Sequence, residues 1–391
     1  MSRPKLIGGR AITATEAIEI RQTVFGSASA PPRGEWTRTG ITFGHHNAEY
    51  PFGLRSPKNA TRGLQSVIQA FIVKYFIFDN RPKEKSVPLE HLLKPSETEQ
   101  VTALWTSISE ILWNIGEKTK TIVCLPGELP HIGHSHAYFQ DNVTEKLWMF
   151  EFNNLDDLQI FIKRYIFFFT DDPSPGALLF LYSAVWTRGF ENVRNDLDAS
   201  KGSHLMGNYE EGSLNIVTLL LSGRATPYLH NGVIYVGDED HYALPQFGIL
   251  SRSRVGLLIW DGAGEALRVQ SRQPGSRLKT PALPVWVTSC MGHYGVIFNS
   301  NRELLRNYHA EKRFELHHYT CAGFFVSMTV DNRGQDDDGG ANYQRQNTKV
   351  DGKESDAGVL QSTPIEKLIQ TKWAESKISF LSAVDPAKMT L

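Results

Sequence analysis

The sequence predicts an α+β fold, with helices crowding the first half and strands the second. Up to Gly223, apolar residues recur at helical spacing in segments longer than ten residues. Beyond it the runs are short, β-rich and bounded by Gly, Pro or Ser, as in "GVIYVG", "VGLLIWDG", "PVWVTS" and "HYGVIF". The chain has no regular strand–helix alternation and no internal repeat, which argues against a parallel α/β sheet.

Residues 1–35 are rich in Gly, Ala, Thr and Pro and close with "SASAPPRGE", the composition expected of a flexible, loosely ordered leader before a domain over 36–391. In "GLRSPKNATRGLQSVIQAF" and the residues after it, Leu64, Val67, Ile68, Phe71, Ile72, Tyr75 and Phe76 follow the i, i+3, i+4, i+7 rule. Gln65, Ser66, Gln69 and Lys74 take the opposite side, and Asn59 or Thr61 is placed to cap the helix. "SETEQVTALWTSISEILWNIG" predicts a second helix, with Ser96 and Glu99 spaced as a capping box and Gly116 at its end. "KTIVCLP" and "KLWMFEF" read as strands around a His-rich loop. "LDDLQIFIKRYIFFF", "GALLFLYSAVWTRGFENVRNDL" and "EGSLNIVTLLLSGRA" read as helices, the first two separated by "DDPSPG". "DNRGQDDDGGANYQRQNTKVDGKESDAG" has the polar, Gly-rich composition of a disordered insertion at 331–360, and an ordered tail, "TPIEKLIQTKWAESKISF", follows.

A formal net charge of −1 removes the electrostatic case for nucleic acid or an anionic membrane surface. The most apolar stretch is too short to span a bilayer and carries Lys163 and Arg164. Three widely spaced cysteines, Cys124, Cys290 and Cys321, give neither a disulfide framework nor a four-cysteine metal site. Reduced thiols in an intracellular, cytoplasmic home are the expectation, with no secretory signal visible at the N-terminus.

Several motifs carry little chemistry. "HIGHSH" gathers His131, His134 and His136, but no cysteine lies near and the spacing fits no zinc module. "DDDGG" lacks the alternating acids and closing Glu of a calcium loop. The pairs His45–His46 and His317–His318 have no usable partner spacing. No metal or cofactor is implied. "PVWVTSCMGHYGVIF" says more: two apolar strands flank a short turn, and His293 opens the return strand. His293, Gly295 and Ile297 share one face of that strand and Tyr294, Val296 and Phe298 the other. Gly295 leaves room for something to approach the His293 imidazole. A helix first and a strand histidine much later is the order of papain-type cysteine proteases, in which the thiol starts the helix and the histidine takes its proton.

The sequence resembles the MINDY family of cysteine deubiquitinases, in its fourth branch and on the side of that branch described as inactive. The blocks that carry the resemblance, in order, are "GLRSPKNATRGLQSVIQAF", "LYSAVWTRGFENVRNDLD", "GSLNIVTLLLSGRATPYLHNG", "VGLLIWDG", "SRLKTPALPVWVTSCMGHYGVIF" and "PIEKLIQTKWAESKISF". The resemblance implies a papain-like domain, and places the family's catalytic Cys on Arg62, its oxyanion-stabilising Gln on Ser56 and its catalytic His on His293. Gly63 is kept, while the family's Gly-Gly-Pro before the Cys has become Asn59, Ala60 and Thr61. No third residue orienting the histidine can be assigned. A guanidinium is a permanent cation, not a nucleophile, and sits unfavourably against the positive end of a helix dipole. Loss of the Gln donor alone is worth about 3–4 kcal/mol of transition-state stabilisation.

The expectation is therefore an inactive deubiquitinase, a pseudoenzyme with ubiquitin or lysine-linked, proteasome-type polyubiquitin as the first ligand to test. Two alternatives stand beside it. One is an active thiol hydrolase whose nucleophile has moved to Cys290, the thiol nearest His293 in the sequence. The other is a scaffold that no longer binds ubiquitin.

Overall fold

The computed structural model describes residues 4–44, 48–56, 58–80, 87–197, 204–207, 211–237, 244–262, 273–333 and 362–381. The chain opens on a short strand β1 (Arg10–Ala11) and a helix α1 (Ala14–Phe25). Thr13 caps α1 in a full capping box with Glu16, whose carboxylate Arg10 also clamps. Ala17, Ile20 and Val24 are buried, and Arg21, also buried, pairs at 2.8 Å with the equally buried Asp141. The flexible leader expected over 1–35 is thus corrected: Arg10 to Phe25 is structured and docked into the core. Three core-facing residues spaced i, i+3, i+7 among Thr, Glu and Gln are too sparse a signal to read as a helix.

The rest of the first half is helical around one long core. After α2 (Gly34–Arg38) and the paired strands β2 (Thr42–Phe43) and β3 (Leu54–Arg55) comes α3 (Arg62–Lys74), which widens into a π-helical turn over Tyr75–Asp79. Then follow α4 (Leu89–Leu92), α5 (Glu97–Ile115), β4 (Thr121–Pro126) and β5 (Leu147–Phe152). Next are α6 (Leu155–Arg164), α7 (Phe167–Thr170), α8 (Gly176–Arg188), α9 (Phe190–Asp196) and α10 (Leu214–Ser222). The predicted Ser96–Glu99 capping box is present, and the predicted long helix through "GALLF…NDL" is divided at Gly189. β1, β5 and β4 form a small antiparallel sheet.

In the second half β6 (Val233–Val236) and β7 (Leu244–Phe247) make a separate hairpin. The main sheet takes β8 (Gly256–Trp260), then, after α11 (Ser276–Lys279), β9 (Val285–Cys290) and β10 (His293–Phe298). Past α12 (Tyr308–Glu311), β11 (Arg313–Tyr319) and β12 (Phe325–Asp331) continue it, and α13 (Pro364–Gln370) and β13 (Lys377–Phe380) complete it. Its order is β13-β12-β11-β10-β9-β8, antiparallel except for the β8–β9 pair. Of the stretch 331–360 expected to be a disordered insertion, Asp331 closes β12 and pairs with Arg333; residues 334–361 lie outside the described residues.

The sheet has a core on each face. Val285, Val287, Val296, Phe298 and Tyr319 face the helices of the first half, including α3. Leu258, Trp286, Ile297 and Val326 face Ile365, Leu368 and Ile369 of α13 and the nearby Trp373. Helix α3 is therefore sandwiched, with every residue from Gly63 to Lys74 buried. Its polar side is no solvent face: Lys74 is neutralised by Asp79 and Glu110, and Gln69 brackets β3 by accepting from Leu54 N–H at 2.6 Å and donating to Phe52 C=O at 3.1 Å. No helix among the described residues is long and apolar enough to cross a membrane.

Candidate functional site

The helix begins where the sequence places it, with Arg62 as its first residue and Thr61 as its N-cap. Thr61 does not cap through its side chain. Its hydroxyl instead lies 3.3 Å from the Ser56 hydroxyl and accepts from Gln65 Nε2 at 3.2 Å. Ser56, Thr61 and Gln65 are all buried, so they form a closed polar knot beneath the helix end. Ser56 also donates its N–H to Cys321 C=O at 2.8 Å and its hydroxyl to Lys58 C=O at 2.9 Å, which ties β3 to the turn between β11 and β12. Gln65 Oε1 is left without a partner. The sequence signal for this knot was a polar stripe on an otherwise apolar helix, visible but not separable from a solvent face.

Arg62 is half-buried and donates one long hydrogen bond, Nε to Ser56 C=O at 3.4 Å. It makes no ion pair among the described residues. The preceding Ala60 is held by Glu35, which accepts its N–H at 3.2 Å, and by Gly212, which donates to its carbonyl at 3.1 Å. Asn59-Ala60-Thr61 is thus fastened on both sides.

Gly63 lets the helix approach β10: a Cβ there would lie 3.2 Å from the Tyr294 ring. The residue of β10 against the helix start is therefore Tyr294. Its phenol pKa is pushed up to about 12 by burial and then by the charges of Asp261 and Glu211, so it stays protonated at neutral pH. Because side chains alternate along a strand, His293 belongs to the other pleat face, with Gly295, Ile297 and its cross-strand partner Cys290. His293 is exposed at the strand start, beside a two-residue turn in which Met291 and Gly292 both have positive φ. Tyr294 of β10 packs against Gly63 at the helix start. The expected room beside His293 is also filled: a Cβ on Gly295 would meet His318 Nε2 at 2.5 Å.

Burial raises the pKa of all three thiols. Burial pushes the Cys124 thiol pKa up, and that of Cys321 up to about 12. Cys290 is likewise pushed up to about 12 by burial and by the Asp261 charge. Cys321 lies beside α3, its sulfur 3.9 Å from the Ser66 hydroxyl. Of the exposed "HIGHSH" histidines, His131 meets Trp148 edge-on at 5.1 Å between ring centres and His134 meets Phe139 at 4.9 Å. Among the described residues no cluster of three metal-ligating side chains occurs; His45–His46 and "DDDGG" lie outside them.

The family described as "Deubiquitinating enzyme MINDY-3/4, conserved domain" matches residues 21–382. The chain is 28% identical over 379 residues to the probable ubiquitin carboxyl-terminal hydrolase MINDY-4 of Xenopus tropicalis, covering 96% of this chain and 47% of that protein. It is 28% identical over 370 residues to the same-named protein of Mus musculus, covering 93% and 46%. To the ubiquitin carboxyl-terminal hydrolase MINDY-3 of Homo sapiens it is 24% identical over 324 residues, covering 73% and 66%. The chain spans about half the length of the MINDY-4 relatives it matches. No solved structure matches it.

Proposed function

The chain belongs to the MINDY-3/4 family of deubiquitinating enzymes, and from that premise we propose that it is an inactive member, a ubiquitin-binding pseudoenzyme of the fourth branch. The observation that carries the reading is Arg62 at the first position of α3. A thiol there would be lowered in pKa by the helix dipole and form the thioester through which cysteine hydrolases work. A guanidinium forms none. Ser56, in the oxyanion position, is turned inward to Lys58 and Thr61, so its hydroxyl is committed elsewhere. His293, which the resemblance puts in the base position, shares its pleat face with Gly295 and Ile297, whereas Tyr294, on the other face, packs on Gly63.

The displaced-nucleophile alternative draws on one fact, the direct cross-strand pairing of Cys290 with His293. The raised Cys290 pKa weighs against it, since a thiol titrating near 12 is almost wholly protonated at pH 7. Ubiquitin, as free protein or lysine-linked chain, is the ligand the family relation points to. Incubating the purified chain with lysine-linked tetraubiquitin and reading the products on a gel tests the proposal. The chains should survive intact; trimming that Cys290→Ala abolishes would replace this reading with the displaced-thiol one.

A further inference from the structure

We infer that the β6–β7 ribbon is a dimer interface, and that its occupant is β6 of a second copy of this chain, placed across a two-fold axis. The ribbon stands apart from the other sheets, and each of its strands pairs only with the other. Its base is fixed to the body of the molecule. The Thr226 hydroxyl donates to Phe247 C=O at 2.7 Å, Arg277 Nη1 donates to Ile249 C=O at 2.7 Å, and the Arg224 guanidinium lies 6.0 Å from the centre of the Phe247 ring. Beyond the base, all four residues of β6 are exposed, and so are Leu244, Pro245 and Phe247 of β7.

The composition is that of a covered strand. Val233 with Phe247 and Tyr235 with Pro245 share one face; Ile234 with Gln246 and Val236 with Leu244 share the other. Both faces are apolar but for Gln246, and neither carries a charge. A solvated sheet normally gives one face to polar residues, and an isolated two-stranded hairpin is marginally stable at best. Val233, Ile234, Tyr235, Val236, Leu244 and Phe247 expose between 38% and 70% of their surface. Together that is on the order of 600 Å² of apolar surface, the top of the range for a monomer and not far below the roughly 800 Å² that each partner buries in a standard interface.

One edge of the ribbon is open. Gly248 N–H donates to Gly232 C=O, so by the alternation of an antiparallel ladder Val233–Phe247 and Tyr235–Pro245 are pairs whose backbone groups point outward. On β7 the outward donor is missing at Pro245, which closes that edge. On β6, Val233 and Tyr235 turn N–H and C=O outward, with no Lys, Glu or Pro in the strand to ward off another. With the two-fold axis at Ile234, Val233 bonds the partner's Tyr235 and Tyr235 bonds the partner's Val233. The edge is thus self-complementary, as a two-fold interface requires, and two ribbons join into one four-stranded sheet. The lack of charge leaves nothing to repel a second copy and nothing to select an acidic or basic partner.

The test is sedimentation velocity of the full 391-residue chain over roughly 1–200 µM, the range in which a small interface associates. The mass should rise from one chain to two. Tyr235→Lys puts a charge on the open edge, and Tyr235→Pro removes an outward donor without costing the ribbon a hydrogen bond of its own. Each variant, once shown to melt as the parent does, should associate at least about tenfold more weakly. Leu129→Lys, at an exposed leucine elsewhere on the surface, should dimerise as the parent does. A parent chain that stays monomeric throughout, or a dimer that survives both Tyr235 variants, would overturn the inference. So would a monomeric chain that binds ubiquitin and loses it on Tyr235→Lys, since the ribbon would then belong to ubiquitin.

Discussion

At the scale of single residues, the proposed inactive reading rests on more than the guanidinium at Arg62. Restoring the thiol with Arg62→Cys leaves Ser56 bonded inward, Ala60 pinned between Glu35 and Gly212, and Tyr294 against the helix start. Arg62→Cys alone should therefore give no measurable single-turnover cleavage of a lysine-linked ubiquitin chain. Ser56→Gln together with a Gly-Gly-Pro turn at 59–61 is required before any appears. Robust turnover from the single substitution would mean that the oxyanion region is still assembled. Gly295 supplies a second check. A methyl group there collides with His318 Nε2 at 2.5 Å and crowds Thr288 Oγ1 and Tyr319 C=O at 3.1 Å each. Gly295→Ala should cost about 1–3 kcal/mol in urea denaturation. An unchanged midpoint would show that the space beside His293 is open after all.

At the scale of elements, long amphipathic helices and the β9–β10 hairpin were legible because period and punctuation agreed. Helix α3 with its π-helical turn carried seven apolar residues in register, α5 a capping box, and the hairpin a Met291-Gly292 turn between apolar runs. Strands β11 and β12 were missed. Arg313, Glu315 and His317 alternate with Phe314, Leu316 and His318, and a buried histidine in the apolar register breaks the pattern that a sequence reader counts. The face of β10 that meets α3 was also out of reach, because alternation says which residues share a face but not which face the helix takes. α1 was missed for its sparse apolar stripe. Ile20→Ala tests its docking directly: a fully buried Ile in a core helix loses about 2–5 kcal/mol on truncation, read by chemical denaturation. A loss under about 0.5 kcal/mol would return the segment to the status of a leader.

At the scale of the whole molecule, the sheet buries ionisable groups that set its acid limit. Burial lowers the pKa of His317 and of His318 to about 4, below the value near 6.5 of an unfolded histidine. The folded state then binds fewer protons than the unfolded chain. The stability these residues contribute is complete above pH 6.5 and is lost as pH falls from there through 4. Each accounts for a few kcal/mol at most. Denaturation midpoints should drop between pH 7 and pH 4.5, and less steeply in His318→Gln; identical slopes would remove His318 from the account. The same burial raises the thiol pKa of Cys290 and Cys321, which, with Arg62 at the helix start, supports the proposal that no thiol of the chain attacks ubiquitin's terminus. That central claim is tested most directly by incubating the chain with a ubiquitin probe bearing a thiol-reactive C-terminal warhead and reading its intact mass. The account predicts the unmodified mass alone, whereas a one-to-one adduct mapped to Cys290 would contradict it.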